Sequence, residues 1–200
     1  MRNSVTSVGL ALTLLLIAQV PDLPAQRLSP RDSVSVSVDG KEISVAWGSP
    51  SIRGRQIFGG LVPWGEVWRT GANEATALRS EVDLVIGGAA LPAGSYTLYT
   101  IPELAGWTLI INGETDQWGT QYDPALDVVR VPMRVETLDY PVEQFTILLA
   151  CELAEPCVDL TDPDVRVARI MLSMEWEKTR ALVAIEPAPT ETAGEGAAED

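Results

Sequence analysis

Ser33-Val34-Ser35-Val36-Ser37-Val38-Asp39-Gly40-Lys41-Glu42-Ile43-Ser44-Val45-Ala46-Trp47 is the stretch that decides the fold. Its apolar residues fall at every second position, first Val34, Val36 and Val38, then Ile43, Val45 and Trp47. Successive side chains of an extended chain point to opposite faces, so this spacing gives one apolar and one polar face. The apolar residues are β-branched or aromatic, which suits a pleated, half-buried surface. Asp39-Gly40 between the two runs is a strong signal for a tight two-residue hairpin turn. An antiparallel pair of strands is therefore predicted here.

Outward from the hairpin, strand-like runs recur at residues 76–80, 82–86, 96–101, 107–111, 128–135, 145–151, 167–176 and 181–185. Gly87-Gly88 and Pro92-Ala93-Gly94 punctuate them. About ten short strands without a helical stretch predict an all-β domain, an antiparallel β-sandwich. Residues 49–75 break the alternation. They are rich in Gly and hold Pro50 and Pro63, which predicts a long loop after the second strand. Phe58, Trp64 and Trp68 give that loop something to bury, so it is expected to be ordered. Residues 116–126, with Trp118, Gly119 and Tyr122, read as a second loop.

The two ends differ in kind from the middle. Arg2 followed by an apolar run over residues 8–18, with small residues at Ala18 and Ala25, reads as an export signal spanning residues 1–25. That run is short for a membrane span, although an uncleaved anchor is the alternative. The β-domain is expected over residues 26–186. Residues 187–200 carry no large apolar side chain and no positive charge and are expected to form a disordered acidic tail. Export implies a periplasmic or secreted protein, with no stable membrane span once the signal is removed.

Charge and residue inventory exclude several classes. The chain has 14 Lys and Arg against 28 Asp and Glu, a formal net charge of −14, and no basic stripe, which argues against nucleic-acid binding. It contains no His, so Ser-His-Asp and Cys-His catalysis and the usual His-containing metal sites are ruled out. No phosphate-cradling or dinucleotide motif is present, and no cofactor or metal is expected. Asp159, Asp162 and Asp164 have alternate spacing but lack the glycine and distal glutamate of a calcium loop. Cys151 and Cys157 are expected to form a disulfide in an oxidising compartment. A loop that short contributes about 2 kcal/mol on chain-entropy grounds. Two reduced thiols are the alternative.

The sequence Gly54-Arg55-Gln56-Ile57-Phe58-Gly59-Gly60-Leu61-Val62-Pro63-Trp64-Gly65-Glu66-Val67-Trp68-Arg69-Thr70-Gly71-Ala72-Asn73-Glu74-Ala75-Thr76 resembles the signature of an exported bacterial family catalogued as a domain of unknown function. Residues 91–102, Asp116-Gln117-Trp118-Gly119 and the closing Glu175-Trp176-Glu177-Lys178 are similar too. The resemblance covers roughly residues 30–185. It implies an extracytoplasmic β-domain and supplies no reaction. On the same resemblance, residues 151–164 extend a turn that is usually shorter.

Candidate site residues concentrate in the signature. Arg55 and Arg69 present planar forks suited to carboxylates, with the capping of loop carbonyls the alternative for Arg55. Trp64 and Trp68 stack on a guanidinium or a sugar face. Asn73 tolerates unusual backbone angles, and Glu74 accepts from an arginine or acts as an acid. Trp118, flanked by glycine, is the exposed aromatic candidate of the second loop, whereas Tyr99 and Trp107 sit in strand patterns that favour the core. The expected role is a ligand- or partner-binding module for a small molecule, glycan or protein, built on the loop from Arg55 to Glu74. One alternative is an acid-dependent glycoside hydrolase using Glu74 and a second loop acid, drawn from Glu66, Asp116 and Asp123. Another is a purely structural loop in which Arg69 and Glu74 pair internally.

Overall fold

Strands account for most of the chain that this computed structural model describes, namely residues 28–38, 40–151 and 169–189. In chain order they are β1 (Arg31–Val38), β2 (Lys41–Gly48), β3 (Thr76–Ser80), β4 (Leu84–Ile86), β5 (Ala89–Leu91), β6 (Gly94–Glu103), β7 (Gly106–Asn112), β8 (Asp127–Cys151) and β9 (Ile170–Pro187). The only helical turn among the described residues is the 3-10 turn Pro124–Leu126, capped by the Asp123 side chain. The hairpin forms as expected, with Val34 opposite Val45 and Val36 opposite Ile43.

All nine strands pair antiparallel in one continuous order, β1-β2-β3-β6-β7-β8-β9-β4-β5. The all-β class and the long ordered loop after β2 stand. The strand count falls to nine, in a single pairing order rather than two separate sheets. Residues 128–135 and 145–151 are both parts of β8, and residues 170–176 and 181–185 of the last two expected strands are both parts of β9. β5, built on Ala89 and Ala90, carries too little apolar bulk to show as a strand in the sequence.

β8 holds the sheet together. Its first residues pair with β7 and the remainder pairs with β9, with register shifts between Thr137 and Val142 and between Val142 and Thr146. The extra β8 residues at these bulges bend the strand. Opposite them Glu177 adopts a positive φ of 51°, and its carboxylate accepts from Ile57 N at 3.1 Å. The chain leaving β2 returns to this bend. Ile52 N donates to Glu143 O at 2.8 Å, Phe145 N to Pro50 O at 2.8 Å, and Trp47 Nε1 to Phe145 O at 3.1 Å. One buried cluster with members from β1 to β9 fills the space the sheet curls around, with Trp47, Trp107 and Trp176 its largest rings. Burying each such side chain stabilises the fold by roughly 2 kcal/mol or more.

No helix among the described residues is long and apolar enough to cross a membrane. The signal at residues 1–25, the tail from 190 onward, Cys157 and the aspartates 159, 162 and 164 lie outside the described residues.

Candidate functional site

The loop over residues 49–75 is set by backbone contacts that its sequence permits. Ala72 N donates to Gly48 O at 3.1 Å, and a Cβ on Gly48 would fall 1.9 Å from Ala72 O. Only glycine allows the loop to lie this close to β2. Trp68 continues the line of β3 beside β6, with Trp68 N donating to Thr100 O at 2.7 Å and Thr100 N to Trp68 O at 2.9 Å. The buried Thr70 Oγ1 donates to Thr100 Oγ1 at 3.1 Å, and Thr76 Oγ1 donates to Thr70 O at 2.6 Å. Thr70 takes a positive φ of 52°, a costly conformation for a β-branched residue, and these bonds hold it there.

The second loop clips onto the first. Ala75 N donates to Gln117 O at 3.1 Å and Gly119 N to Asn73 O at 3.0 Å, bridging Glu74 to Trp118. Buried Gln117 anchors the clip, with Nε2 donating to Thr97 Oγ1 and to the Tyr99 hydroxyl, each at 3.2 Å. Two signature stretches that are far apart in sequence thus form one unit. From beneath, Trp68 stacks on Trp176 at 5.8 Å and 15° and meets Phe145 edge-on at 5.0 Å.

A groove of about 830 Å³ opens between these two loops and the first described residues, Leu28 and Ser29. Trp68, Tyr99 and Tyr122 supply aromatic surface, and Arg55, Arg69 and Asn73 supply polar groups. No Asp or Glu is among its lining residues, in a chain that has 28 of them. Arg55 donates to Ile52 O (Nε, 3.0 Å) and Ser51 O (Nη2, 2.6 Å). Arg69 donates through Nε to Gly71 O at 3.2 Å, while its two terminal nitrogens meet no partner among the described residues. Its side chain runs over Gly119, where a Cβ would come 2.9 Å from Arg69 Cδ. Asn73, with φ 65°, donates to Ser29 O at 3.1 Å. The Tyr122 hydroxyl donates to Asp127 Oδ2 at 2.8 Å and accepts from Arg130 Nη2 at 2.7 Å, and its ring packs 4.7 Å from Tyr99. Burial, reinforced by the Asp127 hydrogen bond and charge, pushes the Tyr122 hydroxyl up to about 12.

Of the residues expected at a site, Arg55, Trp68, Arg69 and Asn73 meet on this groove. Trp64 packs on Phe58 at 5.8 Å outside it, and Trp118 is exposed outside it. Glu74 belongs to a different groove of about 570 Å³, shared with Arg31, Arg79, Tyr96, Asp116 and Gln117. There Glu74 acts electrostatically on Arg31, whose guanidinium donates to Ala75 O at 3.0 Å. Burial lowers the Arg31 pKa, and the Glu74 charge partly restores it. An internal pair between Arg69 and Glu74 is therefore not what closes the loop: the turn at Asn73 sends the two side chains to separate grooves. Arg31, at the start of β1, belonged to no motif that could have marked it. Among the described residues no cluster of three or more His, Cys, Asp or Glu is placed to hold a metal ion.

No curated protein and no solved structure matches the chain. Over residues 29–185, which take in both loops and all of the sheet but the last two residues of β9, the sequence fits the family described as "Protein of unknown function (DUF2911)", and the chain belongs to that family.

Proposed function

We propose that this protein is an exported binding module whose groove between the two loops takes a small ligand. The observation that carries the reading is the composition of that groove: aromatic surface, two arginines and no acid, in a strongly acidic chain. Its volume falls in the range of small-molecule sites, which are mostly apolar with a few placed polar groups. A metabolite and glycan thermal-shift screen tests it. The expected result is a compound that raises the unfolding temperature of the wild type and of Glu74→Gln but not of Arg69→Gln. A screen with no Arg69-dependent compound, together with a loss of stability in Arg69→Gln, returns the loop to a purely structural role.

A second reading has one observation in its favour. Glu74 and Asp116 line the same smaller groove, so an acid-dependent glycoside hydrolase would place its carboxyl pair there. Arg31 beside Glu74 weighs against it as the proton donor. Activity on aryl glycosides that disappears in both Glu74→Gln and Asp116→Asn would favour this reading over the first.

Export is part of the proposal. A signal over residues 1–25 and a Cys151–Cys157 disulfide predict a secreted product beginning near Gln26, its mass lower by two hydrogens than that of the dithiol. An intact Met1 in that product would sink the export reading.

A further inference from the structure

The geometry points to a planar aromatic monocarboxylate as the ligand of the larger groove, an inference that rests on the groove being a binding site. Three observations narrow the class. The first is charge. No acid stands on the walls of the groove beside Arg55 and Arg69. The carboxylate nearest by bonding, that of Asp127, is taken up by Tyr122, Arg130 and Asn112.

The second is the donor inventory. Arg55 spends Nε and Nη2 on loop carbonyls and acts as a fixed charge. Arg69 spends only Nε, and its two terminal nitrogens remain for a ligand. Two parallel N–H groups of one guanidinium match the two oxygens of one carboxylate. Trp68, also on the groove wall, has an indole N–H with no hydrogen-bond partner among the described residues. A neutral sugar needs acceptors as well as donors for its hydroxyls, and these walls offer no carboxylate to accept from them. A dianionic phosphoryl group calls for more donors than one open fork supplies, and the chain's net charge of −14 disfavours a second negative charge.

The third is shape. Trp68 and Tyr122 are half-buried rings, and Leu61 and Val67 stand at the rim with 49% and 39% exposure. A flat ring stacks on such rings and covers the aliphatic edges. Trp176 beneath Trp68 and Tyr99 beneath Tyr122 keep those surfaces in place.

The test compares 1-naphthoate, 1-naphthamide and 1-naphthyl phosphate by calorimetry, with the indole ¹⁵N–H resonance of Trp68 as the reporter of place. The expected result is that naphthoate shifts that resonance and binds about tenfold tighter than the amide, as a charge-assisted hydrogen bond provides. Arg69→Gln should erase the preference, and Glu74→Gln should leave it. Equal binding of naphthoate and naphthamide overturns the carboxylate while leaving the groove as a site. Tighter binding of naphthyl phosphate overturns it in favour of a phosphoryl group. Failure of all three to shift Trp68, with no Arg69-dependent compound in the wider screen, removes the binding reading itself. Should Arg69→Gln not fold, the three-compound comparison on the wild type still decides.

Discussion

The two grooves beside the 49–75 loop are made from adjacent residues of one segment and yet differ in every physical respect. One holds Arg69 with open donors, aromatic walls and no acid. The other holds Glu74 against Arg31, with Arg79 and Asp116 close by, so that its charges have partners within the protein. Neighbouring charged residues in a motif therefore need not serve one site. Asn73, with its positive φ, is the point at which the chain divides them.

Three substitutions test that division, from the largest effect to the smallest. Gly48→Ala should abolish it. The new Cβ would overlap Ala72 O, the loop would lose its seat on β2, and both grooves would open at a cost of about 3 kcal/mol. Urea unfolding, followed by tryptophan emission, measures this; an unchanged midpoint would show that the loop is not seated as described.

Tyr122→Phe touches the aromatic groove alone. It removes the hydrogen bonds to Asp127 and Arg130 and should cost about 1 kcal/mol at neutral pH. The folded state holds the Tyr122 proton up to about 12, against an ordinary 10.0. The unfolded chain therefore gives up that proton first as pH rises. The associated stability is fully present below pH 10 and is lost between 10 and 12. Unfolding midpoints measured from pH 9 to 12 should fall less steeply in Tyr122→Phe than in the wild type; parallel slopes would contradict the assignment.

Glu74→Gln touches only the charged groove. Glu74 acts on Arg31 through its charge at a partly exposed position, which contributes little, so the expected loss is about 0.5 kcal/mol, with naphthoate affinity unchanged. A large fall in that affinity would mean that the two grooves act as one.

The hairpin and β3 were legible because their alternation is unbroken and one face is buried: residues 76–80 read as a strand and form β3 with the same bounds. β8 and β9 were not legible as single strands. Asp139 and Pro141 interrupt the first and the charged run from Glu177 to Arg180 interrupts the second, yet both strands continue through the bend. Within that run Arg180 pairs with Glu175 of its own strand at 2.6 Å and approaches Glu136 of β8 at 3.8 Å. Such pairing depends on register, which no periodicity encodes. The gathering of Arg55, Trp68, Arg69 and Asn73 was foreshadowed by their density in one loop. The separation of Glu74 was not, because it follows from one backbone angle. Gln117 carries no such signal beside the more conspicuous Trp118, yet its buried amide, not the exposed indole, fixes the second loop to β6.

The clip between Asn73 and Gly119 has a mechanical consequence. Arg69 is carried by one loop and Tyr122 by the other, and the main-chain bonds at 3.0 and 3.1 Å fasten those loops at a single joint. The opposing walls are thus set before any guest arrives, and their spacing works as a gauge rather than a jaw. On the binding reading, a guest of the right thickness would enter without first ordering the protein, and a thicker one would have to break the main-chain bonds of the joint.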